Sequence, residues 1–273
     1  MKIFCCQLDT VWENKKANFA KAKELIAAAK PPPGSLVLLP EMFATGFSMN
    51  VPSLAEPANG PGLSTASSET AAFLSRVAQE FGIYVVGGLI GLTSQGRARN
   101  QAVVFSPEGK EIARYSKCQP FTLGGESKHY EAGNEILTFK WQNWIVAPFI
   151  CYDLRFPELF REAVRRQAQL FVVIASWPVK RIHHWVTLLQ ARAIENQAYV
   201  AGVNRTGVDP SFTYTGRSVI VNPHGDILAD AGAAEGFISA EVDLASLQAW
   251  RAEFPALQDM RAGEAVRAGK SKS

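Results

Sequence analysis

The chain is poor in the residues that mark several large classes of protein. Only four of its 273 residues are cysteine (Cys5, Cys6, Cys118, Cys151) and four are histidine. So few thiols in a chain of this length do not make a disulfide framework. His183 and His184 with a cysteine lack the Cys-x-x-Cys or His-x-x-x-His spacing of a metal site. Net charge is small too, +3, on an ordinary 19% of charged residues. The basic residues are scattered rather than striped, which argues against a nucleic-acid surface. No apolar run reaches the ~18 residues of a membrane span. The opening "MKIFCCQLDTVWENKK" turns polar by Gln7, too early for the apolar core of a signal peptide. A cytoplasmic protein with reduced thiols is expected, with no membrane and no nucleic-acid partner.

What is present suits a large α/β domain. Hydrophobic residues make up 47%, ample for a core. "KIFCCQL" reads as a strand, and apolar residues at Phe19, Ala22, Leu25, Ile26 and Ala29 predict a helix over roughly 14–29. "PPPG" stops it, and "SLVLLPE" follows as a continuous apolar strand of the buried kind. Residues 45–65, rich in Gly, Pro and Ser, read as a long functional loop. A helix near 66–81 leads into the strand "IYVVGGLIGL" and the hairpin "QAVVFSPEGKEIARYSK".

The second half keeps a similar rhythm. The strands "WIVAPFIC", "LFVVIASW" and "AYVAGVN" alternate with a helix opening at Pro157 and another over about 182–197. The hairpin "SVIVNPHGDILAD" repeats the Pro-x-Gly turn of the first, and "GFISAEVDL" adds a final strand. The echo of "VVFSPEGKEI" in "VIVNPHGDIL" suggests two halves of related topology. Two helix-covered sheets are the natural packing. No interior linker breaks residues 1–260, which are expected to form one domain, and the small, basic tail 261–273 is expected to be mobile.

Three reactive side chains follow strands. Glu41 lies just beyond "LVLLP", Lys117 beyond "IARYS" and Cys151 beyond "WIVAPFI", where α/β proteins tend to place ligands. A cysteine attacks as the thiolate, so its pKa of ~8.5 must fall or a base must take the proton. Glu41 can be that base if burial raises its pKa, and Lys117 can stabilise a thiolate and then an oxyanion. Each also has an ordinary reading, as a paired carboxylate, a solvated hairpin lysine and a packed thiol. Composition and spacing do not join the three in space.

Four blocks, "LLPEMFATGFSM", "YSK", "FICYDLRFPELFR" and "QARAIENQAYVAGVNRTG", together resemble the carbon–nitrogen hydrolase (nitrilase) superfamily, over roughly residues 3–245. "PEMFATGFSM" and "KHYEAGNE" look most like its ω-amidase branch, which hydrolyses the terminal amide of 2-oxo acids such as 2-oxoglutaramate. The resemblance implies an α/β fold of the αββα four-layer sandwich type, no cofactor and, by analogy, a homodimer. It places a catalytic Glu–Lys–Cys triad on Glu41, Lys117 and Cys151 and gives the backbone N–H of Tyr152 to the oxyanion hole. It also matches a second carboxylate to Glu126, in "GGESKHY", which would orient Lys117. Two departures stand out: "KCQPF" from Lys117 where the branch often has "KRHLF", and "GRS" at Gly216–Ser218 where it has "GDS" or "GHS".

Phe43, Phe47, Phe121 and Trp177 sit on loops or strand ends around the nucleophile and are expected to line a small pocket, although packing would explain them as well. Arg155 is close to Cys151, but Asp153 beside it suggests an internal ion pair, which leaves the binder of a substrate carboxylate unassigned. Three alternatives stand beside the ω-amidase expectation. One is a general short-chain aliphatic amidase or another C–N hydrolase of the family, and a second is a silent scaffold that binds partners. The third is a papain-like pair of Cys151 with His183 or His184, which are adjacent at a helix start, so only one can face inward.

Overall fold

The computed structural model describes residues 1–57 and 68–261. Two six-stranded mixed sheets carry the fold. The first contains β1 (Lys2–Gln7), β2 (Leu36–Leu38), β3 (Tyr84–Leu92), β4 (Ala98–Phe105) and β5 (Glu111–Ser116). The second contains β6 (Phe139–Trp141), β7 (Trp144–Ile150), β8 (Leu170–Ala175), β9 (Tyr199–Asn204), β12 (Val219–Val221) and β13 (Ile227–Asp230). A two-stranded ribbon, β10 (Thr206–Val208) with β11 (Thr213–Thr215), interrupts the second half, and β14 (Gly236–Glu241) returns to the first sheet.

The two halves repeat one wiring. In the first, β1, β2 and β3 are parallel, and β4 and β5 continue antiparallel. In the second, β7, β8 and β9 are parallel, and β12 and β13 continue antiparallel. Each sheet is completed by an antiparallel strand on the far edge, β14 against β1 and β6 against β7. Both edge hairpins even carry a register shift, between Val104 and Phe105 and between Ile220 and Val221. The Pro-x-Gly echo thus marks a real structural repeat. Gly109 (φ +71°) and Gly225 (φ +91°) close those hairpins in the left-handed region that glycine enters without steric cost.

Helices cover the outer faces. Over the first sheet lie α1 (Lys15–Ala29) and α3 (Glu69–Phe81), separated in sequence by the one-turn α2 (Val51–Leu54). Asn14 caps α1 by accepting from the N–H of Ala17, and Ser68 caps α3 by accepting from that of Ala71. Lys30 and Gly82 end them in left-handed conformation. One cluster buries Ala22 and Ile26 of α1, Leu74 and Val77 of α3, and Val37 and Val85 of the sheet. Over the second sheet lie α4 (Pro157–Arg165), with Pro157 in its first turn, and α5 (Ile182–Asn196).

Between the sheets a single cluster joins Ile3, Leu36, Val86 and Val104 to Val146, Ile150, Val172 and Val203. That is the αββα order. Residues buried on both faces explain why β2 and β8 are apolar throughout, and β9 up to its last residue, Asn204, rather than alternating.

Some expectations need adjustment. The helix expected near 66–81 is described from Ser68, and the loop expected over 45–65 contains α2; residues 58–65 lie outside the described residues. Of the tail expected to be mobile, 262–273 lie outside them too. Helix α6 (Leu244–Glu253), capped by Asp243, was not anticipated, because Ala, Ser and Gln give it little apolar periodicity. No helix among the described residues is long and apolar enough to cross a membrane.

Candidate active site

The parallel strands of both sheets deliver their C-terminal ends to one place. Cys151 follows β7 and opens a 3-10 turn, Cys151–Arg155. Its φ of +46° is a conformation that a residue with a Cβ adopts at some cost, so the thiol is presented on a tight strained elbow. Glu41 follows β2, Lys117 follows β5, and Glu126 sits in the 3-10 turn Glu126–Lys128. All four are buried.

The lysine is held by both carboxylates. Its Nζ lies 2.9 Å from Glu41 Oε1 and 2.7 Å from Glu126 Oε2. Each glutamate is itself anchored: the Ser176 N–H donates to Glu41 Oε2 at 2.8 Å, and the Phe121 N–H donates to Glu126 Oε2 at 2.6 Å. Ser176 follows β8, so Glu41 is tied to the second sheet as well as to its own. Gly88 of β3 passes so close that a Cβ there would stand 2.4 Å from the Met42 nitrogen. The turn carrying Glu41 is therefore seated directly on the sheet.

Asn100, on β4, was not singled out from the sequence. Its Nδ2 donates to Glu41 Oε1 at 2.7 Å and to Glu126 Oε1 at 2.8 Å, and its carbonyl accepts from the Lys117 N–H at 2.9 Å. The only clue was a polar residue beside an apolar strand, in "RNQAVVF", which is common at strand starts.

Electrostatics follow from burial. Burial pushes the Cys151 thiol well above its ordinary range, Glu41 pushes it further, and Lys117 pulls against both. The resting sulfur is thus a thiol and needs a base. Burial alone would lower the Lys117 ammonium, but Glu126 and Glu41 together raise it, so Lys117 is a fixed cation.

A pocket above Cys151 is lined by Lys117, Phe121, Tyr152, Ser176, Trp177 and Phe212, with Phe47, Pro178, Arg155 and Arg181 completing its wall. Phe121 and Tyr152 pack with ring centroids 5.1 Å apart. Phe47, Phe121 and Trp177 line the pocket, and so does Tyr152, of which only the backbone N–H was expected to matter. Phe43 does not: it is fully buried in the outer layer, tilted against Phe19 and Phe73 and packed over Gly87. Met42, at φ +46°, reverses the chain between Glu41 and Phe43 and sends the ring toward the helices.

The expected Arg155–Asp153 pair is not formed either. The Asp153 carboxylate is fully buried, accepting from Tyr115 Oη at 2.8 Å and from the N–H groups of Ile150 (3.0 Å) and Gln119 (2.8 Å). It therefore faces inward and braces the cysteine elbow against the strand and loop that carry Lys117. Arg155 faces the pocket, its guanidinium 4.9 Å from the Trp177 ring centre and Nη2 3.2 Å from His184 Nδ1.

The two departures also find places. Cys118 is half-buried beside the carbonyls of Ser116 and Glu135, away from the pocket wall. Arg217 pairs with Asp230 at 2.7 Å across the second hairpin, and Ser218 binds Gln7. His183 and His184 are exposed, and the charged groups acting on Cys151 are Glu41, Lys117 and Glu126, which leaves the papain-like pair without support. Among the described residues no three His, Cys, Asp or Glu side chains are grouped to hold a metal ion.

An αββα sandwich whose strand ends bring a cysteine over a doubly held lysine defines a hydrolase of carbon–nitrogen bonds. The carbon-nitrogen hydrolase family model matches residues 2–252, and the chain belongs to that family. It is 37% identical to the omega-amidase YafV of Yersinia enterocolitica over 95% of this chain and 96% of that one. It is 33% identical to the 2-oxoglutaramate amidase of Bacillus subtilis, covering 95% and 97%. Among solved structures, XC1258 of Xanthomonas campestris, a CN-hydrolase superfamily protein with an arsenic adduct in its active site, superposes with a TM-score of 0.84 at 33% identity, covering 98% of this chain and 99% of that one. The protein is thus a hydrolase acting on amide C–N bonds.

Proposed function

We propose that the protein hydrolyses the terminal amide of short 2-oxo dicarboxylic acid monoamides, 2-oxoglutaramate and 2-oxosuccinamate, to the acid and ammonia. The observation that carries this is the buried Glu41–Lys117–Glu126 cluster beneath Cys151 in a small aromatic-walled pocket. The omega-amidase and 2-oxoglutaramate amidase relatives support the choice of substrate.

Glu41 takes the proton of Cys151, and the sulfur attacks the amide carbon. Lys117 and the backbone N–H of Tyr152 hold the oxyanion, a role whose loss typically costs ~10²–10³ in turnover. Glu41 returns the proton to the departing nitrogen, so ammonia leaves and a thioester remains on Cys151. Water activated by the same carboxylate hydrolyses the thioester and restores the thiol, dividing one difficult step into two. Glu126 fixes Lys117 and does not itself exchange protons.

The test is ammonia release from 2-oxoglutaramate, 2-oxosuccinamate, succinamate, glutamine, an N-carbamoyl amino acid and a nitrile, with Cys151→Ala alongside. The oxo-acid amides are expected to be the best substrates and Cys151→Ala inactive on all. Oxo-acid amides no better than glutamine would defeat the substrate assignment.

A further inference from the structure

The walls of the pocket carry more positive charge than the chemistry at Cys151 uses. Among the described residues three cations line it, Lys117, Arg155 and Arg181, and no aspartate or glutamate does. Lys117 is committed to Glu41 and Glu126. Among the described residues neither Arg155 nor Arg181 has a carboxylate partner: the polar contact of the Arg155 side chain is His184, and that of Arg181 forms no hydrogen bond. The nearby Asp209, in the groove just outside, is taken by Tyr214 Oη and the N–H groups of Ser211 and Phe212.

Both guanidiniums rest on rings of the pocket wall. Arg155 lies 4.9 Å from the centre of Trp177 and 6.0 Å from that of Tyr152, and Arg181 lies 5.4 Å from that of Phe121. A guanidinium stacked on a ring keeps its in-plane N–H donors for an oxygen at its edge. Arg181 ends the turn Val179–Arg181, and its carbonyl is pinned by Trp177 Nε1 at 2.8 Å. The same loop begins at Ser176, which holds Glu41. The position of Arg181 is thus tied to that of the base, as a residue gauging the distance from the scissile amide to a second group must be.

We propose that Arg181, assisted by Arg155, is the clamp for a carboxylate at the end of the substrate remote from the amide, and so the main determinant of anionic-substrate specificity. The proposal rests on the amidase function proposed above. Arg181 is the principal ligand because its donors are free, whereas Arg155 gives Nη2 to His184 and lies between two rings. A carboxylate matches the planar fork bidentately and supplies the counter-ion the pocket lacks. The same charge disfavours an ammonium group beside the carboxylate, so a 2-oxo acid amide is preferred over glutamine.

Arg181→Ala, Arg181→Lys and Arg155→Ala would be compared with wild type on glutaramate and on pentanamide, which has five carbons but no carboxylate. Binding of 2-oxoglutarate would be measured in parallel by calorimetry, with melting curves to confirm folding. In Arg181→Ala the kcat/KM for glutaramate should fall roughly ten- to a hundredfold more than that for pentanamide, chiefly through KM, and 2-oxoglutarate should bind at least tenfold more weakly. Arg181→Lys should recover only part of each, because a point charge does not reproduce the fork.

Equal losses on the two amides, or unchanged 2-oxoglutarate binding in Arg181→Ala, would overturn the clamp. A larger loss in Arg155→Ala than in Arg181→Ala would overturn the choice of principal ligand. If wild type releases ammonia from no amide, the proposed function falls, and the calorimetry alone still decides the clamp.

Discussion

Asn100 and Lys117 hold the same two carboxylates. Lys117 bonds Glu41 and Glu126 from one side, and the Asn100 amide bonds the same pair at 2.7 and 2.8 Å. The glutamates are therefore held by four contacts from two neighbouring residues, Asn100 on β4 and Lys117 just beyond β5. Asn100→Ala removes two charge-assisted bonds, worth roughly 1.5–3 kcal/mol each before relaxation. Asn100→Asp does more harm, setting a third carboxylate beside a single ammonium. Urea unfolding should rank wild type above Asn100→Ala above Asn100→Asp, with kcat in the same order. An Asn100→Asp protein as stable as wild type would contradict this arrangement.

The buried Cys151 thiol makes its own pH prediction. Because burial and Glu41 hold its pKa well above the ordinary range, the free enzyme carries a thiol at neutrality. Alkylation by iodoacetamide should be slow near pH 7 and climb steadily above pH ~8.5. Turnover should not follow that climb, since in the proposed mechanism Glu41 removes the proton in the complex. An alkylation rate already level below pH 7 would reveal a resting thiolate instead.

Asp153 links pH to stability. Burial raises its carboxyl to about 7, against the pull of the Ile150 N–H, Lys117 and Tyr115. In the unfolded chain the value is ~3.9. Between these values the folded protein binds a proton that the unfolded chain does not. The contribution of this group is therefore full below pH ~4 and is lost as pH rises toward 7. Melting temperatures taken from pH 5 to 8 should show wild type losing ground to Asp153→Asn as pH increases. Parallel curves would mean that Asp153 stays ionised throughout.

Phe43 separates packing from catalysis. Its ring is fully buried among Phe19, Phe73 and Leu74, so Phe43→Ala should cost roughly 3–5 kcal/mol. Per folded molecule, kcat/KM should change less than threefold. A variant of unchanged stability but altered KM would return Phe43 to the pocket.

Much of this arrangement was legible in the residues because it depends on local pattern. Buried strands announce themselves as unbroken apolar runs, and the hairpins through Pro-x-Gly. Glu41, Lys117 and Cys151 were visible as reactive groups following strands, and the family blocks joined them. What stayed hidden depends on which way a side chain turns. Phe43 lies two residues from Glu41, and only the left-handed backbone at Met42 sends it away. Asp153 and Arg155 are equally near each other, but the N–H groups of Ile150 and Gln119 claim the acid. Asn100 gave only the weak clue of a polar residue at a strand start and Arg181 none, since Asn100 depends on Glu41 and Glu126, and Arg181 on Phe121, all distant in sequence.

The site is built across a seam. Glu41, Asn100, Lys117 and Glu126 come from the half that carries β1–β5, and Cys151 and Ser176 from strand ends of the other. Neither half alone contains both the proposed nucleophile, Cys151, and its proposed base, Glu41. Turnover is therefore a gauge of how well two stacked sheets are aligned. A slip between them that spares every strand and helix would silence the enzyme while its secondary structure remained intact.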